Sequence, residues 1–167
     1  MAPTDAIAAA QAALSSGDPA TRRSAAERLA QSGAAAAPAA LALVRACADA
    51  DDQVREWVVA ALEELGPPAP GVVGDLVALL TGPDPLPAYW AATLLGRLGE
   101  GASAAVPALA TTLAGAADLA VRERCAWALG KIGPAAGAAR DALRRSAAGS
   151  DERLARLATE ALTAIGG

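Results

Sequence analysis

The sequence predicts an all-α protein, an α-solenoid of five helical hairpins, and three observations lead to that prediction. Alanine occupies 50 of the 167 positions, aromatic residues make up 2%, and phenylalanine is absent. Small side chains with high helix propensity and low β-propensity favour closely packed helices. The other two observations are a repeat of about 33 residues along the whole chain and helix end signals at fixed positions within each repeat.

Glycine marks the repeat most clearly. An apolar helical pattern ends at a glycine five times, with spacings of 33, 33, 34 and 33 residues. These glycines are Gly33, Gly66, Gly99, Gly133 and Gly166. An aspartate stands 15 residues before each glycine, and a leucine stands four residues before it. The period predicts a single repeat domain over residues 1–167, with repeats at about 4–33, 34–66, 67–99, 100–133 and 134–167.

Each stretch from aspartate to glycine is predicted to form a helix of about four turns. The aspartates cap free backbone N–H groups, and the glycines tolerate the left-handed conformation that ends many helices. The aspartates are Asp18, Asp51, Asp84, Asp118 and Asp151. The alanine- and leucine-rich stretches between them are predicted to be shorter first helices, over 36–48, 72–80, 104–113 and 138–147. Pro38 and Pro107 are expected in first turns, where a missing N–H costs little.

One face of each second helix is predicted to be core. In repeat two this face carries Val54, Val58, Ala61, Leu62 and Leu65, which lie within about a third of the helix circumference. The leucines at the same repeat position as Leu62 are Leu29, Leu95, Leu129 and Leu162. We expect these leucines to be buried between neighbouring repeats.

Other recurring residues are interpreted as structural. Arginines four residues after the capping aspartates recur as Arg22, Arg55 and Arg122. Their recurrence favours capping and bonds between repeats over a catalytic role. Cys47 and Cys125 lie far apart with no metal-binding pattern and are predicted to be small core residues.

Composition and charge exclude several classes of function. The 14 basic and 18 acidic residues give a formal charge of -4, which argues against nucleic-acid binding. No secretory leader or membrane-spanning run is recognised, so a cytoplasmic protein that does not enter a membrane is expected. With no histidine, the usual catalytic triads and histidine metal sites are excluded. No metal and no cofactor is predicted.

Repeat four carries a resemblance to a known family. The residues concerned are Val121, Arg122, Ala126, Ala128, Leu129, Gly130, Ile132, Gly133 and Pro134. With the first-helix stretch AAVPALATTL at 104–113, this register resembles the HEAT-repeat family in its short bacterial form, named after phycobilisome lyases. The resemblance covers essentially the whole chain. It implies an α-solenoid with a concave surface lined by second helices, and protein–protein interaction as the usual work.

A candidate binding site follows from the aromatic residues, which all lie in the second helices of repeats two to four. Trp57 and Trp90 share one repeat position, which Arg124 takes in repeat four. The predicted site on the concave face consists of Trp57, Tyr89, Trp90, Arg124 and Trp127, with Glu56 and Glu123 at its margin. Aromatic faces beside carboxylates suit a cationic ligand. Trp57 and Trp90 could equally fill gaps between alanine-rich repeats, whereas exposure is favoured for Trp127.

The leading functional hypothesis is a non-catalytic scaffold that docks a protein or peptide partner, with a cationic partner preferred. The alternative is a small-molecule site or a lyase- or glycosylase-like enzyme in the same groove, using Glu56, Glu123 and Arg124 on a small aromatic or cationic molecule. A third possibility is a repeat array with no ligand of its own. The sequence also predicts weak self-association through a C-terminal edge formed by Leu154, Leu157, Leu162 and Ile165.

Overall fold

The computed structural model describes residues 3–166 of the chain. That range contains ten α-helices and no β-strand. The helices are α1 (Pro3–Ala13), α2 (Pro19–Gln31), α3 (Ala40–Ala46), α4 (Asp52–Glu64), α5 (Val73–Leu80), α6 (Pro85–Leu98), α7 (Val106–Gly115), α8 (Leu119–Ile132), α9 (Arg140–Ala147) and α10 (Glu152–Ile165). Each odd-numbered helix packs against the even-numbered helix that follows it. The predicted all-α class, with hairpins of the α-solenoid type, is confirmed.

The helices group into two compact units, unit 1 over Met1–Ala69 and unit 2 over Pro70–Gly167. Unit 1 contains α1 to α4, and unit 2 contains α5 to α10. The boundary coincides with the proline-rich stretch at 67–70, where prolines remove backbone donors and disfavour continued helix. A single domain over 1–167 stays a prediction.

The predicted caps at the helix starts are confirmed. Asp18, Asp51, Asp84, Asp118 and Asp151 are the N-cap residues of the five second helices. Each carboxylate accepts hydrogen bonds from backbone N–H groups of the first turn, as in the 2.7 Å bond from Leu154 to Asp151. These bonds satisfy donors that have no partner within the helix.

The prediction that a glycine with a left-handed φ angle ends each second helix is confirmed in four repeats and is wrong in one. Gly33, Gly99, Gly133 and Gly166 have positive φ angles between 51° and 85°. Gly66 does not, because it precedes Pro67 and a residue before proline is pushed toward extended conformations. Accordingly α4 ends at Glu64, and Leu65 is already extended.

The first helices are shorter than predicted on their N-terminal side. Tighter 3-10 helices precede four of them, over Gly33–Ala39, Pro70–Val72, Gly99–Ala105 and Gly133–Ala139. Pro38 lies inside the first of these 3-10 stretches, not in the first turn of α3. Pro107 does lie in the first turn of α7, as predicted.

The core follows the predicted face of the second helices. Val54, Val58, Ala61, Leu62 and Leu65 are all buried. Leu29, Leu95 and Leu129 are buried as well, whereas Leu162, in the last repeat, is only partly buried. Cys47 and Cys125 are both buried, as expected of small core residues.

The predicted C-terminal apolar edge is wrong for two of its four residues. Leu154 and Ile165 are buried, because α10 packs against both α8 and α9. Leu157 and Leu162 remain partly exposed. Self-association through this edge stays a prediction.

In unit 1 an arginine joins neighbouring repeats, as the recurrence of these arginines predicts. Arg22 donates hydrogen bonds of 2.8 and 2.9 Å to the two carboxylate oxygens of Asp49. Both side chains are largely buried, so this paired geometry is screened less than a surface ion pair. In unit 2 Arg122 instead donates to the carbonyl oxygen of Leu113 at 3.0 Å.

We expect Leu95→Ala to lower the free energy of unfolding by about 2–5 kcal/mol, because Leu95 is fully buried and its truncation leaves a cavity. Leu86→Ala in the same helix is the matched control, since Leu86 is 38% exposed. Chemical denaturation followed by circular dichroism measures both. Equal losses for the two variants would show that the register of α6 is wrong.

Hydrogen bonding to Arg22 holds the pKa of Asp49 below its usual value. A carboxyl with a lowered folded pKa stabilises the protein above its unfolded pKa, about 3.9 for aspartate, and this contribution is lost as the pH falls through the folded pKa. We therefore expect Asp49→Asn to reduce stability at neutral pH and to weaken its decline between about pH 5 and pH 2. The control is Asp141→Asn, at an aspartate whose side chain is 82% exposed. Parallel stability curves for Asp49→Asn and the wild type would contradict the expectation.

Candidate binding site

The second helices of the last three repeats pack side by side in unit 2. Helix α8 contacts α6 on one side and α10 on the other. The residues of α8 that point away from the first helices therefore lie between side chains of α6 and α10. This arrangement places Tyr89 of α6, Trp127 of α8 and Leu157 of α10 around one opening.

Two adjoining cavities follow α8, and we call them together the α8 groove. The first has a volume of about 260 Å³ and is lined by Tyr89, Ala120, Glu123, Arg124, Trp127, Arg153 and Leu157. The second has about 200 Å³ and is lined by Ala126, Trp127, Gly130, Lys131, Leu157, Glu160, Ala161 and Ala164. Trp127 and Leu157 line both cavities. The groove thus combines an aromatic centre with charged side chains along its length.

Arg124 is held between two aromatic rings. Its guanidinium carbon lies 4.6 Å from the ring centroid of Tyr89 and 5.1 Å from that of Trp127. The same guanidinium donates a hydrogen bond to the Tyr89 hydroxyl. Lys131 places its ammonium 5.8 Å from the Trp127 centroid. Cation–π attraction and the hydrogen bond together restrict the orientation of Arg124.

Trp127 is seated against the backbone of α6. A Cβ atom added at Gly96 would lie 2.3 Å from Cζ3 of Trp127 and 3.0 Å from the Cα of Ala128. Only a glycine leaves room for the indole at that point. Trp127 is therefore partly exposed in the groove and partly anchored between α6 and α8.

The carboxylates of the groove are already paired. Glu123 forms an ion pair with Arg153 at 3.1 Å, and the Glu123 side chain is only 12% exposed. Glu160 pairs with Arg156 at 2.8 Å. In the described part of the chain, neither Arg124 nor Lys131 is within ion-pair distance of a carboxylate. The groove therefore has uncompensated positive charge.

This local charge differs from that of the chain as a whole. Unit 1 has five basic and nine acidic residues, so it accounts for the net charge of -4. Unit 2 has nine of each and is neutral. The positive charge of the α8 groove is thus a local feature of a chain that is acidic overall.

The structure brings four of the seven predicted site residues together, namely Tyr89, Glu123, Arg124 and Trp127. Trp90 is 7% exposed, so the prediction that its indole faces a ligand is wrong and the packing interpretation holds. The Trp90 ring makes an edge-to-face contact with the Tyr89 ring, with centroids 5.5 Å apart. This contact helps to fix the position of Tyr89. Glu56 and Trp57 are exposed on α4 of unit 1.

Sequence reasoning missed Gly96, Lys131 and Arg153 as parts of the site. Gly96 and Gly130 both stand three residues before the closing glycine of their repeats, so their recurrence inside a helix was the available signal. Lys131 and Arg153 had no comparable signal, because charged residues on a helix are usually solvated. Only the packing of α8 against α10 places Arg153 beside Glu123.

A third cavity lies in unit 1 between α1 and α2. Its volume of about 510 Å³ is larger than that of either part of the α8 groove, and alanines form much of its lining. Its described lining residues include no aromatic side chain, and the carboxylate of Asp18 is used to cap α2. Thr21, Ser24 and Arg28 are the other polar residues of its lining, so this cavity lacks the aromatic centre of the α8 groove.

Comparison with known proteins agrees with the repeat architecture. The family model for HEAT repeats matches residues 73–163, which is more than half of the chain. The chain belongs to the HEAT-repeat family. No protein of curated function is detectably similar to this HEAT-repeat chain in sequence.

Solved helical-repeat structures superpose on nearly the whole chain. An engineered protein does so with a TM-score of 0.65 at 22% identity, over 95% of this chain and 80% of its own. A designed armadillo repeat protein in complex with the peptide (KR)4 gives 0.68 at 17% identity, over 97% and 82%. The complex of CpcE and CpcF of phycocyanin lyase from Nostoc sp. PCC7120 gives 0.67 at 25% identity, over 99% and 65%.

Two further observations concern the described residues as a whole. None of their helices is long and apolar enough to cross a membrane. Within the same residues no group of three or more cysteine, aspartate and glutamate side chains is placed to hold a metal ion.

We expect Gly96→Ala to displace the Trp127 indole, because the new methyl group would overlap its six-membered ring. The indole N–H resonance of Trp127 in a proton–nitrogen NMR spectrum should shift, and thermal stability should fall. Gly74→Ala in α5 is the control, since nothing lies within 4 Å of a Cβ added there. An unshifted Trp127 resonance in Gly96→Ala would show that α6 and α8 are less closely packed than described.

Proposed function

We propose that this HEAT-repeat protein is a binding scaffold that docks an extended peptide segment of a protein partner in the α8 groove. The observation that carries the proposal is the placement of Trp127, which is partly exposed yet anchored against Gly96. A partly exposed aromatic side chain that is already anchored loses little conformational freedom on binding, which is why tryptophan is common among interface hot spots.

The shape and the relatives support a peptide as the docked ligand. The α8 groove is elongated because its two cavities adjoin along α8 and share Trp127 and Leu157. The designed armadillo repeat protein with a similar fold is in complex with a peptide, and the similar phycocyanin lyase structure is a complex of two protein chains. Protein partners are therefore the class of ligand that we propose for this chain.

The proposed contact surface differs from the one predicted from sequence. It keeps Tyr89, Glu123, Arg124 and Trp127 and adds Arg153 and Leu157. It leaves out Trp90, whose indole is buried, and it leaves out Glu56 and Trp57, which lie in unit 1.

The alternative function, a small-molecule site or enzyme in the same groove, has less support. Of its three candidate charged residues, Glu56 belongs to unit 1 and Glu123 is held in an ion pair with Arg153. Arg124 is engaged by the Tyr89 hydroxyl and two rings. A general acid or base needs a group free to exchange a proton with the substrate, and these contacts favour binding over proton transfer.

The test selects peptides from a phage-displayed library of random 12-residue sequences on the purified protein. Each enriched peptide is then titrated against the wild type and Trp127→Ala by fluorescence anisotropy. We expect Trp127→Ala to weaken binding at least about tenfold, because truncation removes the central aromatic contact. Circular dichroism confirms that the variant is folded.

Trp57→Ala is the matched control, because it removes an exposed indole from unit 1. Its affinity for the enriched peptides should equal that of the wild type. Failure to enrich any peptide, or equal affinities of the wild type and Trp127→Ala, would refute the proposed function. Equal losses in Trp57→Ala and Trp127→Ala would refute the restriction of the contact surface to the α8 groove.

A further inference from the structure

We propose that the α8 groove selects an acidic peptide, whose carboxylate is bound by Arg124. This inference rests on the proposed function and specifies the chemistry of the partner. It reverses the preference for a cationic ligand that the residue composition suggests. The aromatic rings and carboxylates that would attract a cation are already in contact with the protein's own basic side chains.

The aromatic faces are the first of those groups. Arg124 lies against both Tyr89 and Trp127, and Lys131 lies against Trp127. A cationic side chain of a ligand would have to displace these cations from the rings and would be repelled by them at short range. The rings therefore position the protein's own positive charges, and the exposed part of Trp127 remains for uncharged groups of the peptide.

The carboxylates are the second group. Glu123 is paired with Arg153 and Glu160 with Arg156. A cationic ligand would have to compete with Arg153 and Arg156 for these carboxylates. With both carboxylates compensated, Arg124 and Lys131 are the uncompensated charges of the groove.

Arg124 is well prepared to bind a carboxylate. A guanidinium has five N–H donors in a planar fork. In the described structure, Arg124 uses one of these donors in its hydrogen bond to the Tyr89 hydroxyl. The cation–π contacts and this bond hold the fork in place before a ligand arrives, so less conformational entropy is lost on binding. The remaining donors suit a two-point contact with the carboxylate of Asp or Glu.

The spacing of the two cations indicates the spacing of acidic residues in the ligand. Arg124 and Lys131 are seven residues apart on α8, a distance of about 10 Å along the helix axis. A peptide in the polyproline II conformation rises about 3.1 Å per residue and has about three residues per turn, so side chains three positions apart lie on the same face. Acidic residues about three positions apart in such a peptide therefore match the two cations, with Trp127 between them.

The experiment uses the full chain and three labelled 12-residue peptides at about 150 mM ionic strength, where charges beyond about 8 Å are largely screened. The first has glutamate at every third position among alanine and serine. The second has glutamine at those positions, and the third has lysine. We expect the glutamate peptide to bind at least about tenfold more tightly than either other peptide. General attraction cannot produce this order, because the chain has a net charge of -4.

The variants assign the effect to Arg124. Arg124→Gln should weaken binding of the glutamate peptide at least about tenfold, and Arg124→Lys, which keeps the charge but loses the fork, should lie between it and the wild type. Arg145→Gln removes the same charge from an exposed site on α9 and should bind as the wild type does. Equal binding to the Arg124→Gln variant would overturn the inference.

The outcomes separate this inference from the proposed function. If library selection enriches basic or neutral peptides whose binding depends on Trp127, the acidic preference is wrong and the scaffold function stands. If no peptide binds, both fail. Sedimentation of the unliganded chain tests one other occupant, a second copy of this acidic chain. Self-association that Arg124→Gln abolishes would show that a second copy fills the groove, and the acidic-peptide inference would be wrong.

Discussion

The close approach of neighbouring second helices in unit 2 is the constraint on which the groove depends. A Cβ at Gly96 would lie 3.0 Å from the Cα of Ala128, and a Cβ at Gly130 would lie 3.1 Å from the Cα of Ala161. Each glycine stands at the same position of its repeat, and so does each alanine in the following repeat. Small residues allow the two backbones to approach closely at these points. The dispersion contacts between the backbones then stabilise the packing that larger side chains would otherwise provide.

This close packing explains how a chain so poor in aromatic residues builds the α8 groove. Because Gly96 has no side chain, the six-membered ring of Trp127 packs directly against α6. Trp90, at a different position of the repeat, is buried and supports Tyr89. The two tryptophans of unit 2 therefore serve different purposes, one in the core and one at the groove.

The charges of the groove follow from the same packing. Helix α10 brings Arg153 to Glu123, and the ring of Trp127 brings Arg124 and Lys131 to one surface. In the proposed function, these charges decide which ligand charge the groove accepts. A HEAT-repeat scaffold can thus change the charge of its binding surface through a few side chains while the repeat register that specifies the fold stays the same.

The sequence by itself determined the repeat architecture, because the signals that specify it are local. Capping aspartates, closing glycines and a buried leucine act within one helix or between adjacent helices, so their spacing could be interpreted without coordinates. The exception, Gly66, was also a local effect, of the proline that follows it.

Only the tertiary structure decided the composition of the candidate site. The burial of Trp90, the partners of Glu123 and Arg124, and the role of Gly96 depend on which side chains meet across helices from different repeats. Helical periodicity gives the face on which a residue lies, but it does not give the partner that neutralises its charge or the distance of closest approach between two backbones.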